Sequence, residues 1–201
     1  MRLEAKNISF RYDKGPWLFR NLSLTLEAGE VVGLTGASGQ GKTTLCRILS
    51  GLQQPSEGKV TINDSPIPKR QYHPVQLVFQ HPEKAVNPRW KMEKVLKEGW
   101  EVEQELLDLL GIENEWLTRW PNELSGGELQ RFCVLRSLGP KTTFLIVDEM
   151  TTMLDAITQS QIWHAVLKIA KERNMGILMV SHDPNLVERL CHRVIHLGEN
   201  E

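Results

Sequence analysis

The chain has 201 residues, with 24 Lys and Arg against 25 Asp and Glu, a formal net charge of -1 and a pI near 6.6. That balance leaves no basic footprint for nucleic acid or anionic lipid, and the length suits one domain, or a core with a small subdomain, around a sizeable interior. No run approaches the roughly 18 apolar residues of a membrane span and the first six residues lack the apolar core of a signal peptide, so the expectation is a cytosolic chain.

Apolar residues nearly alternate over 3–10 and alternate strictly over 22–27, the pattern of half-buried antiparallel strands. Between them lies a turn-rich stretch, 11–16, which contains Tyr12. An exposed Tyr there is able to stack on a purine ring; a packed or capping Tyr is the other reading of the same residue. Residues 30–35 read as a buried strand, and 44–50 as a helix with apolar spacing. The loop joining them, Gly36, Ala37, Ser38, Gly39, Gln40, Gly41, Lys42 and Thr43, fits the phosphate-loop pattern G-x-x-x-x-G-K-[ST]. Its glycines let successive backbone N–H groups and the helix N-terminus face an anion, with Thr44 continuing into the helix. Lys42 is placed to reach the β and γ phosphates of a nucleotide, and the Thr43 hydroxyl to ligate the bridging Mg²⁺. A turn over 53–58, a short strand over 59–62 and a link punctuated by Pro66 and Pro68 follow.

Residues 75–79 form another apolar run, which ends at Gln80. An amide at a strand end is able to place its oxygen on a metal or a water, although a polar terminator explains it equally. After a loop over 81–89 with two prolines, residues 92–110 carry apolar residues at helical spacing, broken by Gly99, and read as part of a small helical insert. Trp90, Trp100, Trp116 and Trp120 exceed what such a core needs, so the alternatives are core packing and a surface for a partner. Ser125, Gly126, Gly127 and Glu128 open a helix running to about Leu138, a second N-terminus able to bind an anion. A Ser N-cap accounts for Ser125 but not for the paired glycines.

Residues 144–149 are a continuous apolar run ending in Asp148 and Glu149, as in a central parallel strand delivering carboxylates to the sheet's carboxyl edge. Asp148 is suited to the hydration shell of Mg²⁺ and Glu149 to polarising an attacking water as general base. A long amphipathic helix ends near Arg173; the strand 177–180 ends at Ser181, His182 and Asp183, and a last strand covers 193–197. His182 has the chemistry to hydrogen-bond a γ-phosphate or the water. Cys46, Cys133 and Cys191 are odd in number and lie in apolar surroundings, which suggests neither a disulfide framework nor a zinc site.

The stretch Leu-Ser-Gly-Gly-Glu at 124–128, taken with the phosphate loop, Gln80, the Asp148-Glu149 pair, Leu154-Asp155 and His182 in that order, resembles the ATPase subunit of an ATP-binding-cassette (ABC) transporter. The resemblance covers nearly the whole chain. It implies an α/β phosphate-loop nucleotide hydrolase of the ABC type, with an antiparallel β subdomain and a helical insert at about 85–138, in a single domain over 1–201. It further implies that Tyr12 stacks on adenine, Gln80 senses Mg²⁺ and the membrane subunit, Glu149 is the base and His182 is the switch on the γ-phosphate. Ser125 and Gly127 would contact the nucleotide of a second ATPase chain, identical or paralogous, in a head-to-tail dimer that holds two ATP. The cofactors expected are ATP and Mg²⁺, the partners a second ATPase chain and transmembrane permease subunits, with no nucleic acid. The location expected is the inner face of the cell membrane.

Phe79-Gln80-His81-Pro82 and Asn87-Pro88-Arg89 are similar to the branch importing oligopeptides, dipeptides and nickel complexes. A soluble ABC-type ATPase with a regulatory or nucleic-acid-linked role is the alternative; an ordinary phosphate-loop kinase leaves Ser125-Gly126-Gly127 unexplained. Met150 stands where the family usually has Pro, Thr152-Met153 where Ser-Ala is usual, and the C-terminal extension of many peptide-branch members is lacking. These departures suggest one half of an unequal pair.

Overall fold

The computed structural model describes residues 1–67, 71–151 and 154–198. In chain order its elements are β1 (Arg2–Arg11), β2 (Trp17–Glu27), β3 (Val31–Thr35), α1 (Lys42–Leu49), β4 (Glu57–Ile62), β5 (Ser65–Pro66), β6 (Val75–Val78), α2 (Met92–Lys97), α3 (Gln104–Leu109), α4 (Gly126–Ser137), β7 (Phe144–Asp148), α5 (Ala156–Glu172), β8 (Gly176–Val180), α6 (Pro184–Leu190) and β9 (Arg193–His196). Short 3-10 turns over Pro82–Lys84, Asn114–Thr118 and Pro121–Glu123 punctuate the connections.

Two sheets result. β2-β1-β4-β5 is antiparallel, and β6-β7-β8-β3-β9 is parallel throughout. The strict alternation over 22–27 forms the second half of β2 and buries Leu22, Leu24 and Leu26 on one face, and the strand begins earlier than that pattern marks, at Trp17. β1 departs from alternation because its register shifts between Ala5 and Ile8, around an Asn7 with φ of 49°, so the strand changes its inward face part-way.

The continuous apolar runs become parallel strands because both of their faces are covered. Along β7, Phe144 and Ile146 join a core with α1 (Leu45, Ile48, Leu49) and the antiparallel sheet (Leu3, Ile8, Leu26). Leu145 and Val147 point the other way, into a core with Phe132 and Leu135 of α4 and Ile162 and Val166 of α5. The period of two residues thus sets the layer order: antiparallel sheet, α1, parallel sheet, then helices.

The helical run expected over 92–110 is two six-residue helices, α2 and α3. Gly99 lies in the break, and Trp100 beside it turns its Nε1–H onto the Arg136 carbonyl at 3.2 Å instead of continuing a helix. Among the four Trp residues singled out, Trp116 is buried, as core packing requires, while Trp90 and Trp100 are half-buried and Trp120 is 40% exposed. Cys46 and Cys133 are buried, and burial pushes the Cys133 thiol up to about 12, the state of a small inert hydrophobe.

Candidate active site

Parallel strands share one carboxyl edge, so the segments leaving β3, β6, β7 and β8 all emerge on the same side of the sheet. That single fact gathers residues more than a hundred positions apart. From β3 comes the loop 36–43; from β6, Gln80; from β7, Asp148 and Glu149; and from β8, His182.

The loop curls because its glycines take backbone angles that L-residues resist. Gly39 has φ of 82°, and a Cβ there would meet nothing within 4 Å, which leaves its outer side open to a ligand. Gly41 has φ of 96°, and a Cβ there would lie 2.7 Å from Leu18 Cδ2. Lys42 opens α1 with its Nζ turned back to donate to the Gly36 and Ala37 carbonyls at 2.8 and 3.0 Å, and Gln40 Oε1 accepts from Ala37 N–H at 2.6 Å. The chain's own cation and amide therefore hold the loop closed on itself. Gln40 in this role was not legible in the sequence, since any residue fits its place in the pattern.

Asp148 is 4% exposed at the end of β7 and receives a hydrogen bond from the Thr43 hydroxyl. Burial pushes its carboxyl above the usual range and the charge of Glu149 adds to that, against the Thr43 bond, Arg47 and Lys42, which pull it back. Arg47, four residues past Thr43 and so on the same face of α1, is a contributor that the i,i+4 spacing would have revealed. Thr43, Asp148 and the amide oxygen of Gln80 offer a hydroxyl, a carboxylate and a carbonyl, the hard oxygen donors Mg²⁺ prefers. Among the described residues no three His, Cys, Asp or Glu side chains are grouped to hold a metal by themselves.

Glu149 is held from both sides. Gln80 Nε2 donates to its Oε2 at 3.0 Å, and His182 Nε2 lies 2.9 Å from its Oε1. Its N–H still donates to the Val180 carbonyl at 3.1 Å, yet its φ is 51°, a left-handed conformation that a Glu adopts only under constraint. The backbone turns there, and the carboxylate is aimed between the ends of β6 and β8. Three strand ends thus converge on one carboxylate.

Tyr12, 58% exposed, stands edge-on to Phe10 with ring centroids 4.9 Å apart, and its hydroxyl lies 3.0 Å from Thr44 Oγ1. It is thus packed along one edge and tied to α1, as the packed reading has it, while much of the ring faces solvent.

Ser125, Gly126, Gly127 and Glu128 stand apart from this cluster. Ser125 caps α4, accepting from Glu128 N–H at 3.3 Å, and the Glu128 carboxylate accepts from Ser125 N–H at 2.7 Å, a reciprocal capping box. The carboxylate that the sequence set beside an anion site is therefore held on its own backbone. A Cβ on Gly126 would meet nothing within 4 Å, and one on Gly127 would touch Leu154 and Thr158 at 3.5 Å, so this helix end offers open backbone N–H groups outward. Met150 and Thr151 are buried, Trp163 Nε1 donates to Thr151 Oγ1 at 3.4 Å, and Asp155 caps α5; Thr152 and Met153 lie outside the described residues.

A family profile described as "ABC transporter" matches residues 19–152. The nickel import ATP-binding protein NikE of Shigella dysenteriae serotype 1 is 36% identical, over 99% of this chain and 84% of that protein. The oligopeptide transport ATP-binding protein OppF of Streptococcus mutans serotype c is 32% identical, over 98% of this chain and 72% of that one. Among solved structures, the dimeric post-hydrolysis state of the ATP-binding cassette MJ0796 bound to ADP and Pi superposes with a TM-score of 0.83 at 26% identity, covering 97% of this chain and 94% of that chain.

Proposed function

Since the chain belongs to the ABC transporter family, we propose that it is the ATP-hydrolysing subunit of an importer, with its catalytic centre at the carboxyl edge of the parallel sheet. The observation that carries this reading is the convergence of Gln80 and His182 on Glu149, next to the Lys42, Thr43 and Asp148 group.

In this reading the loop N–H groups and Lys42 bind the phosphates, Lys42 exchanging its two loop carbonyls for phosphate oxygens. Thr43, Asp148 and Gln80 are the residues that would hold Mg²⁺, which when bound would supply neutralisation of phosphate charge. Glu149 takes the proton of the attacking water as general base; Gln80 orients the carboxylate, and His182 supports it and faces the γ-phosphate. Tyr12 packs on the adenine. The open helix end at Ser125, Gly126 and Gly127, with Glu128 held in its capping box, faces the nucleotide of a second cassette, a copy of this chain or a paralogue. Residues 1–201 act as one cassette domain.

Among the described residues no helix is long and apolar enough to cross a membrane, so the importer reading assigns that work to permease subunits, with this chain on their cytoplasmic face. A groove of about 400 Å³ lined by Tyr72, Asn87, Trp90, Glu98 and Arg136 suits their docking and gives the half-buried Trp90 a role. The names of the relatives above favour a peptide or a nickel complex as cargo. Replacing Glu149 by Gln removes the base and keeps the shape, so ATP binding should persist while turnover falls by about 10²-fold or more. Turnover at the parental rate would reject Glu149 as base.

A further inference from the structure

One face of α4 carries three donors at a spacing of three residues, and each meets a backbone carbonyl in the segment that follows β6, also at a spacing of three. Gln130 Nε2 donates to the Phe79 carbonyl at 3.2 Å, Cys133 Sγ lies 3.7 Å from the Pro82 carbonyl, and Arg136 donates through one guanidinium nitrogen to the Ala85 carbonyl at 2.7 Å. α4 is thereby fastened along the strand end, the Pro82–Lys84 turn and the residue that closes it. The most deeply buried placement is the first. Gln130 is 1% exposed, and its Oε1 has no hydrogen-bond partner among the described residues. An apolar side chain of the same size would fill that space without burying a half-satisfied amide. What the amide adds is one bond, and that bond holds the carbonyl immediately before Gln80.

We propose that Gln130 is a positioning residue for ATP hydrolysis: by fixing the Phe79 carbonyl it sets the backbone from which Gln80 reaches the Glu149 carboxylate. The path is short and continuous, from Gln130 to Phe79, through one peptide unit to Gln80, and from Gln80 Nε2 to Glu149 Oε2 at 3.0 Å. It begins on the helix whose open end is Ser125 to Gly127, five residues and about 7.5 Å of helix rise earlier. A displacement of α4 along its axis therefore moves the Gln80 backbone with it, and the Cys133 and Arg136 placements make the segment 79–85 follow as a unit. Arg136 extends the same fastening to the groove, where its other nitrogen is 3.3 Å from Glu98 Oε2. The inference rests on the assignment of Glu149 as base, and its test separates the two.

The experiment compares Gln130→Met, which keeps the volume and removes the donor, and Gln130→Asn, which keeps the amide but is one methylene short, each in the parental chain and in Gln80→Ala. ATP dissociation constant, turnover under saturating Mg²⁺ and ATP, and amide hydrogen exchange of residues 79–85 are read for each folded variant. The expected result is an unchanged ATP dissociation constant, faster exchange over 79–85 and a turnover lower by about tenfold, part of the ~10²-fold that an ångström of misplacement costs. In the Gln80→Ala background the Gln130 substitutions should lower turnover no further, since the residue acts through Gln80. Parental turnover in either folded Gln130 variant, or a full additional loss in the Gln80→Ala background, would overturn the proposal. Should Glu149→Gln hydrolyse ATP normally, the base assignment fails by itself, and the coupling between positions 130 and 80 remains measurable.

Discussion

At Glu149 the ends of three strands meet in one backbone choice. A φ of 51° in a Glu that directly follows a buried strand is a strained conformation of the kind found where geometry matters more than stability. The sequence showed the acid pair at 148–149 and hence the residue, but not the strain or the two amide and imidazole partners, because those depend on which strands lie beside β7. The phosphate loop was more legible, since its glycines are demanded by local backbone angles. Gly41→Ala tests that demand: Ala at φ of 96°, with its Cβ 2.7 Å from Leu18, should cost about 1–2 kcal/mol from the backbone strain. It should also displace Lys42, so both the denaturant midpoint and ATP affinity should fall. A variant with parental stability and affinity would show that the loop does not need its left-handed turn. Glu128 shows the converse limit, because the reach of a carboxylate back to Ser125 N–H is a rotamer choice that spacing permits without enforcing.

At the scale of elements, continuous apolar runs identified β3, β6, β7 and β8, and strict alternation identified the second half of β2, because burial on two faces or on one leaves different periods in a sequence. Strand order was not legible, since every neighbour in the parallel sheet is reached by a crossover. The break between α2 and α3 was marked by Gly99 but not located, because the alternative to helix there is the bond from Trp100 to Arg136, a contact 36 positions away. Ile146, fully buried in the middle of β7, should lose about 2–5 kcal/mol of stability on substitution by Ala, read as a lower denaturant midpoint at constant slope; no shift would place the centre of the core elsewhere. The edge strand β9 is tied to the start of β3 by Arg193 Nε, 2.7 Å from Glu30 Oε1. Burial raises the Glu30 carboxyl, and the Arg193 bond and charge with the Glu27 N–H bring it net below its ordinary 4.5. A depressed carboxyl contributes stability that is present above 4.5 and is lost as pH falls through the folded value. Glu30→Gln should therefore be less stable than the parent at about pH 7 and lose that difference in acid; a difference that persists in acid would assign the effect to packing.

For the whole molecule the decisive feature is a separation. Lys42, Thr43, Gln80, Asp148, Glu149 and His182 gather at one sheet edge, while the second anion-ready helix end, at Ser125 to Gly127, points outward with open space beyond Gly126. On the proposed reading one chain carries both halves of a nucleotide site without closing them on each other, the arrangement expected of cassettes that complete one another head to tail. The measurement that tests this most directly is specific ATP turnover as a function of chain concentration, for the chain alone or mixed in equal amount with a paralogous cassette, at saturating Mg²⁺ and ATP. The composite site predicts specific activity that rises with concentration until pairing saturates, and its loss on Gly126→Asp, which closes the open helix end with a like charge. Specific activity that stays constant on dilution into the monomeric range, and survives Gly126→Asp, would contradict it and make the single chain a complete enzyme.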